Sequence, residues 1–88
     1  MAYNKAMHLS ITLPDDLADA AQLSQGEFAR EAQLAMAAKL YEMGRLSSGL
    51  AARIAGLPRS VFLWELSKFN VPLIDLDAAE LAHDLANA

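Results

Sequence analysis

Cysteine is absent from this 88-residue sequence. Without cysteine the chain can form neither a disulfide bridge nor a thiolate metal site, which favours the cytoplasm as its compartment. No apolar run approaches the roughly 20 residues that cross a bilayer. The N-terminus also lacks the basic region and long apolar core of a signal peptide. We therefore expect a cytoplasmic protein without a membrane partner.

Motifs for catalysis or metal binding are also scarce. His8 and His83 lie far apart in the sequence, and no paired carboxylates stand at ligand spacing. The glycines at the ends of residues 44–49 are followed by Leu50-Ala51, where a phosphate-binding loop requires lysine and a hydroxyl residue. No serine lies in a G-x-S-x-G nucleophile elbow. We predict no enzymatic activity, no catalytic residue, no cofactor and no metal site.

Apolar surface, in contrast, is abundant. Hydrophobic residues make up 55% of the chain, and much of that share is alanine. A domain of this length has a small interior and cannot hide so much apolar surface alone. We therefore expect a homodimer, a higher oligomer or an obligate partner.

The net charge of −4 is unevenly distributed. Residues 44–60 contain three arginines and no acid, whereas residues 71–88 contain four acids and no lysine or arginine. A basic centre beside an acidic tail suits nucleic acid at one end and a basic protein at the other. Two ordinary solvated faces would give the same pattern.

The central stretch has the order of a helix-turn-helix. Ser47 is placed to cap a short helix that ends near Ala55, and Gly56 supplies the corner. Pro58 suits the first turn of the next helix, which should reach about Phe69. Small side chains should form the close-packed face of the first helix, and larger ones the inner face of the second: Ala51, Ala52 and Ala55, then Val61, Phe62, Leu66 and Phe69.

The N-terminal part predicts a strand behind a flexible leader at residues 1–6. Apolar residues alternate with polar ones over residues 7–13, which is the period of a half-buried strand. Its partner would be the same strand of a second subunit or the extended run 71–76. The first pairing gives a two-fold ribbon, and the opening resembles that of ribbon-helix-helix repressors. There His8, Ser10 and Thr12 would face DNA; otherwise they face solvent.

The remaining helices follow from capping signals and apolar spacing. A short helix is expected from Pro14 to about Leu23, and a Ser24–Glu27 capping box should open a long helix from Gln25 to Met43. That helix is apolar on nearly all sides over residues 34–41, so it should contact both the helix-turn-helix and another subunit. A final helix is expected over residues 78–86.

These elements predict a mostly α fold with a helix-turn-helix core, a short N-terminal β-strand and a C-terminal helix. The leader covers residues 1–6, and the strand and helical domain cover residues 7–70, with the helix-turn-helix at residues 47–69. An acidic tail for partner binding covers residues 71–88.

Two sets of candidate binding residues follow from this arrangement. The N-terminal part of the second central helix would enter the major groove of DNA. The candidate DNA-binding residues are Arg45, Ser47, Ser48, Arg53, Arg59, Ser60 and Lys68. Leu63 and Trp64 are expected on the outer surface of the same helix and suit a protein contact. The candidate partner-binding residues are Leu63, Trp64, Leu76, Asp77, Glu80, Leu81, Asp84 and Leu85.

The order and spacing of several residues between Glu31 and Leu85 resemble uncharacterised protein family 0175, a group of small prokaryotic antitoxin-like proteins. The resemblance is carried by Ala37, Leu40-Tyr41-Glu42, Gly44-Arg45-Leu46-Ser47, Gly49, Ala51-Ala52, Ala55-Gly56-Leu57, Arg59, Phe62, Leu66, Glu80-Leu81 and Asp84-Leu85. Pro58 departs from it, since the family usually has a serine there that can cap the helix.

The resemblance implies an antitoxin-like protein that binds and restrains a PIN-domain nuclease-like protein encoded beside it. Such proteins commonly repress their own operon as well, which would add operator DNA as a partner. One alternative is a stand-alone transcriptional regulator. Another is a structural or protein-interaction module that binds no DNA.

Overall fold

The computed structural model describes residues 6–86, apart from the side chain of residue 84, and this part of the chain is mostly helical. Five helices follow one another along it: α1 (Leu17–Ala20), α2 (Gln25–Glu42), α3 (Ser48–Ala55), α4 (Arg59–Lys68) and α5 (Asp75–Ala86). The predicted mostly α class is therefore confirmed. Within residues 6–86, no helix is both long and apolar enough to cross a membrane. The leader predicted for residues 1–6 lies outside the described residues, except for Ala6.

The apolar core lies where α2, α3 and α4 meet, and α5 packs on α4 beside it. Alanines on α2 and α3 let these two helices approach closely, as the small residues of the predicted unit require. The rings of Tyr41 and Phe62 meet edge to face, with their centroids 6.3 Å apart. The buried apolar residues are Ala37, Ala38, Tyr41, Ala51, Ala52, Phe62, Leu63, Leu66 and Leu81.

Local hydrogen bonds account for the beginnings of α2 and α3. The Ser24 hydroxyl accepts the amide of Glu27 at 3.1 Å, and the Glu27 carboxylate accepts the amide of Ser24 at 3.0 Å. This reciprocal pair is the predicted capping box. The Ser47 hydroxyl accepts the amide of Leu50 at 3.3 Å, so the predicted cap of α3 is confirmed as well.

Left-handed residues mark the predicted ends of three helices. Gly44 (φ 76°) follows α2, and Gly56 (φ 69°) forms the corner between α3 and α4. Asn70 (φ 59°) stands just after α4, where the sequence places the helix end. Glycine adopts this conformation without the steric cost that a Cβ brings. The two central helices and their turn thus occur as predicted.

The predicted N-terminal strand does not form within this chain. Residues 7–13 are extended, but no β-strand occurs among the described residues. Of the two pairing partners considered, the run 71–76 is unsuitable because α5 already begins at Asp75. Within residues 6–86, no neighbouring backbone supplies the hydrogen bonds that a strand needs for its amide and carbonyl groups.

Two helix boundaries also differ from prediction. The first helix is only the four residues of α1, because Gln22 turns into the left-handed conformation (φ 60°) after it. The last helix begins three residues earlier than residue 78, with the Ala78 amide bonded to the Ile74 carbonyl at 2.9 Å. Asp75 and Asp77 in its first turn favour this earlier start, since acids stabilise the positive end of a helix.

The buried side of α4 is rotated from the predicted one. Phe62 and Leu66 are buried as expected, but Leu63 is fully buried too, contrary to the prediction that it lies on the outer surface. Val61 and Phe69, predicted to be packed, are exposed. The inner face of α4 is therefore formed by residues 62, 63 and 66, and it is wider on the side of Leu63 than predicted.

The Gly56 corner yields a direct test of the turn. Gly56→Ala should lower the free energy of unfolding by roughly 1–2 kcal/mol, because an L-residue is strained at positive φ. Gly49→Ala is the matched control: a Cβ there would meet Arg59 Cδ at an ordinary 3.9 Å. The control should leave stability unchanged or raise it, as alanine favours helices. Urea unfolding followed by circular dichroism measures both; equal effects of the two substitutions would contradict the left-handed corner.

Candidate functional site: a buried carboxylate between four helices

Asp77, in the first turn of α5, is the buried charged residue of the described structure. Only 2% of its surface is exposed, although the sequence predicted it as an accessible partner contact. Burying a carboxylate is costly unless its oxygens are paired and hydrogen-bonded. The surroundings of Asp77 meet that requirement with groups from three other helices.

Two hydroxyl groups donate hydrogen bonds to the Asp77 carboxylate. Tyr41 on α2 donates its hydroxyl to Asp77 Oδ2 at 2.7 Å, and Ser48 on α3 donates to Oδ1 at 2.9 Å. The Tyr41 oxygen also accepts the backbone amide of Ile74 at 2.9 Å. The tyrosine thus fixes both the carboxylate and the chain that leads into α5.

Arg59, the first residue of α4, completes the cluster. Its Nη2 lies 2.7 Å from Asp77 Oδ1, and its Nε donates to the Ser48 hydroxyl at 2.8 Å. Its Nη1 lies 2.5 Å from Glu80, one turn further along α5. Arg59 therefore joins α3, α4 and α5 through three separate contacts. We call Tyr41, Ser48, Arg59, Asp77 and Glu80 the junction cluster.

The junction cluster shifts the acidities of its members. Burial alone would raise the pKa of Asp77, but the hydrogen bonds from Tyr41, Ser48 and Arg59 outweigh it and lower the pKa below its ordinary value. Burial raises the pKa of Tyr41, and its bond to the Asp77 carboxylate adds to this rise. Hydrogen bonds to Glu80 and Asp77 raise the pKa of Arg59. Asp77 is accordingly an anion at neutral pH, with a protonated tyrosine and a guanidinium around it.

Two of the candidate DNA-binding residues are already bound within the junction cluster. Ser48 is buried and bonded to both Asp77 and Arg59, so its predicted contact with a DNA phosphate is blocked in this structure. Arg59 is partly exposed, but its donors point at Ser48, Asp77 and Glu80. The other candidates remain exposed: Arg45, Ser47, Arg53, Ser60 and Lys68, the last paired with Glu65 at 3.2 Å.

The predicted partner-binding residues divide in the same way. Leu63, Asp77 and Leu81 are buried, and Glu80 is held by Arg59, so these residues stabilise the fold instead of lining an open surface. Trp64, Leu76 and Leu85 remain exposed as predicted. The side chain of Asp84 lies outside the described part of the chain. The acidic tail therefore presents less free charge than its composition predicts.

Tyr41 is the member of the site that the sequence did not single out. It appeared in the apolar stretch on α2 and among the residues of the family resemblance, but with no predicted role, and its hydroxyl meets Asp77 across 36 positions of the chain. A buried tyrosine needs a hydrogen-bond partner for its hydroxyl. A tyrosine in an otherwise apolar stretch of α2 was therefore the one signal in the sequence that a polar contact lies there. Within the described residues, no buried side-chain nitrogen or oxygen lacks a hydrogen-bond partner. No group of three His, Asp or Glu residues among them is arranged to hold a metal ion.

The lowered pKa of Asp77 predicts an acid-sensitive fold. A carboxylate whose pKa falls on folding contributes stability above its unfolded pKa, about 4, and loses it as the pH drops toward the folded value. The free energy of unfolding of the wild type should therefore fall on acidification below about pH 4. Asp77→Asn should start lower at pH 7 and show a shallower fall, measured by urea unfolding from pH 7 to pH 3. Asp75→Asn, an exposed change in the same turn, is the control. A slope left unchanged by Asp77→Asn would contradict the assignment.

Comparison with known proteins identifies the family of this chain. The model of Uncharacterised protein family (UPF0175) matches residues 6–88. A UPF0175 protein of Archaeoglobus fulgidus is 36% identical over 81 residues, which cover 92% of this chain and 90% of the relative. No solved structure matches the chain significantly. The matched range includes the junction cluster and all five helices, and the chain therefore belongs to the uncharacterised protein family UPF0175.

Proposed function

We propose that this protein is an antitoxin-like small protein that binds and restrains a nuclease-like partner and carries out no catalysis itself. The resemblance described in the sequence analysis supplies the class of partner, a PIN-domain nuclease-like protein encoded nearby. The single observation that carries the binding role is the exposed ring of Trp64 on the outer side of α4, with 45% of its surface open to solvent.

The surroundings of Trp64 favour a protein partner over DNA. Its neighbours on the outer side of α4 are Ser60, Val61, Ser67 and Lys68, all exposed. Lys68 is paired with Glu65, so this surface carries little net charge. A DNA-reading helix needs cations for the phosphates, whereas an uncharged surface around an aromatic anchor is typical of protein interfaces.

The exposed leucines of α5 extend the proposed binding surface. Leu76 and Leu85 leave most of their side chains in solvent. The partner would contact these apolar groups more than the tail's acids, because Asp77 and Glu80 already bind Arg59. Partner binding is thus proposed to depend on burial of apolar area, with a modest dependence on salt.

Trp64→Ala tests the binding role. Co-expression with the neighbouring nuclease-like protein should give a stable complex, and the substitution should weaken it by about 30-fold or more, as loss of an interface anchor does. Phe69→Ala is the matched control, since it removes a similarly exposed ring that lies just after the end of α4. Because the chain has a single tryptophan, its fluorescence should shift to shorter wavelength on binding. Failure to form a complex, or equal losses in both variants, would overturn the proposal.

Autoregulatory DNA binding is the second role that we propose, with fewer contact residues than the sequence predicts. Arg45 and Arg53 are exposed beside and on α3, and residues 44–60 contain no acid. These two arginines would contact phosphates, while Arg59 stays bound within the junction cluster. Binding through so few cations is weak and depends strongly on salt.

A salt titration separates the two arginines of the central helices. With two phosphate contacts per chain, the logarithm of the affinity for upstream DNA should fall with the logarithm of salt concentration with a slope of about −2 per chain. Arg53→Ala should reduce this slope by about 1, measured by fluorescence anisotropy. Arg59→Ala should instead lower the free energy of unfolding by about 2 kcal/mol, because it leaves Asp77 buried without its cation. Loss of DNA binding in folded Arg59→Ala with no effect of Arg53→Ala would contradict this assignment.

A further inference from the structure

Residues 7–13 have backbone groups that are available to form hydrogen bonds with another strand. This extended segment forms no backbone hydrogen bond with any other described residue. Its alternating apolar side chains are exposed as well: Met7 by 87%, Leu9 by 70%, Ile11 by 67% and Leu13 by 49%. An extended backbone with free amides and carbonyls is a template for another strand. Among residues 6–86, the backbone of the segment thus has no hydrogen-bond partner, and its apolar face is left exposed.

The segment runs past α2 with clefts at both ends. Ala6 and Met7 share a shallow cleft with Leu46 and Leu50, next to the end of α2. Ile11 and Leu13 share another with Phe28, in the first turn of α2, and with alanines further along it. The segment therefore begins beside α3 and the turn before it, and ends beside the N-terminal part of α2.

The outer side of α2 is also uncovered. Residues 34–41 are apolar except for Lys39, yet the helix buries only Ala37, Ala38 and Tyr41. Met36 and Met43 are exposed on another side. The Cα radius of gyration is 15.1 Å, whereas a compact chain of this length has about 12 Å. A single copy is consequently more open than its composition favours.

We propose that residues 7–13 pair with the same residues of a second copy of this chain, forming an antiparallel two-stranded ribbon. Self-pairing fits the charge of the segment, because residues 6–14 contain no aspartate, glutamate, lysine or arginine. A two-fold axis through the ribbon would place the chemically identical segments against each other without repulsion. Pro14 ends the ribbon, since it has no amide to donate.

The alternation of side chains fixes the register. Residues directly opposite in an antiparallel pair project to the same face, so odd-numbered apolar residues must stand opposite odd-numbered ones. The two-fold axis must then pass midway between the two copies of one residue, and the register that pairs all seven residues is centred on Ser10. In that register Met7 stands opposite Leu13, Leu9 opposite Ile11, and Ser10 opposite Ser10 of the second copy.

The ribbon would have one apolar face and one polar face. The apolar face would lie against the exposed sides of the two α2 helices, which supply the apolar support that an isolated ribbon lacks. His8, Ser10 and Thr12 would form the other, polar face. This second-copy contact lies on α2 and the N-terminal segment, so it is independent of the proposed partner contact at Trp64.

Single cysteines measure the register directly because the chain contains none of its own. Under mild oxidation, Ser10→Cys should convert more than half of the protein to a covalent dimer. Thr12→Cys alone should give little, because two copies of residue 12 would be about 13 Å apart along the strands, beyond the reach of a disulfide. Mixing His8→Cys with Thr12→Cys should favour the mixed dimer, which mass spectrometry identifies.

Two outcomes would overturn the proposed ribbon. A monomer by sedimentation at micromolar concentration excludes the ribbon. A dimer in which Ser10→Cys cross-links no better than Thr12→Cys means that another surface, or another register, holds the copies together.

A pair of charge substitutions tests the apolar face in solution. Ile11→Asp should shift the wild-type dimer to monomer, raising the dissociation constant at least 100-fold, with the helical circular dichroism retained. Thr12→Asp, one position away on the polar face, should change the constant less than 5-fold. Equal effects of the two substitutions would refute the proposed packing. If Ile11→Asp loses helicity, Leu9→Ser replaces it, with His8→Ser on the polar face as its control.

Discussion

The buried Asp77 carboxylate is the interaction on which the arrangement of helices depends. An unpaired charge in that position would be strongly destabilising, so Tyr41, Ser48 and Arg59 together stabilise the docking of α5. Each of these groups comes from a different helix. The carboxylate therefore specifies one relative position of four helices, whereas the small apolar core of alanines and leucines would tolerate several.

The same interaction decides what the surface can do. Arg59 stands at the beginning of α4, where a helix-turn-helix protein would contact DNA, but Asp77 and Glu80 compete for its guanidinium. The acids of α5 are in turn used on Arg59 and are less available to a basic partner. Arg59, Asp77 and Glu80 thus bind one another within the chain, while the apolar side chains of Trp64, Leu76 and Leu85 stay exposed on α4 and α5.

Local features of this fold were predictable from the sequence, and contacts between distant residues were not. The Ser24–Glu27 capping box, the Ser47 cap and the Gly56 corner each depend on residues within a few positions of one another, so their signals are complete in the sequence. The burial of Leu63 depends on how α4 is rotated against α3, which spacing alone leaves open. The role of Tyr41 requires knowing that residue 77 lies next to it. For the same reason Ser48 and Arg59 were predicted as DNA contacts, when their partner is an acid that lies 29 and 18 positions away.

The long span of the junction cluster also determines the order in which the protein can fold. The contacts between α2, α3 and α4 are local in sequence and close small loops, which favours early formation. The bond between Tyr41 and Asp77 closes a loop of 36 positions, so it forms after that local unit exists. Until α5 docks, Arg59 and Ser48 have no contact with the Asp77 carboxylate. Docking of α5 is thus the step that completes the native state, and a chain ending before residue 77 would leave the guanidinium of Arg59 free.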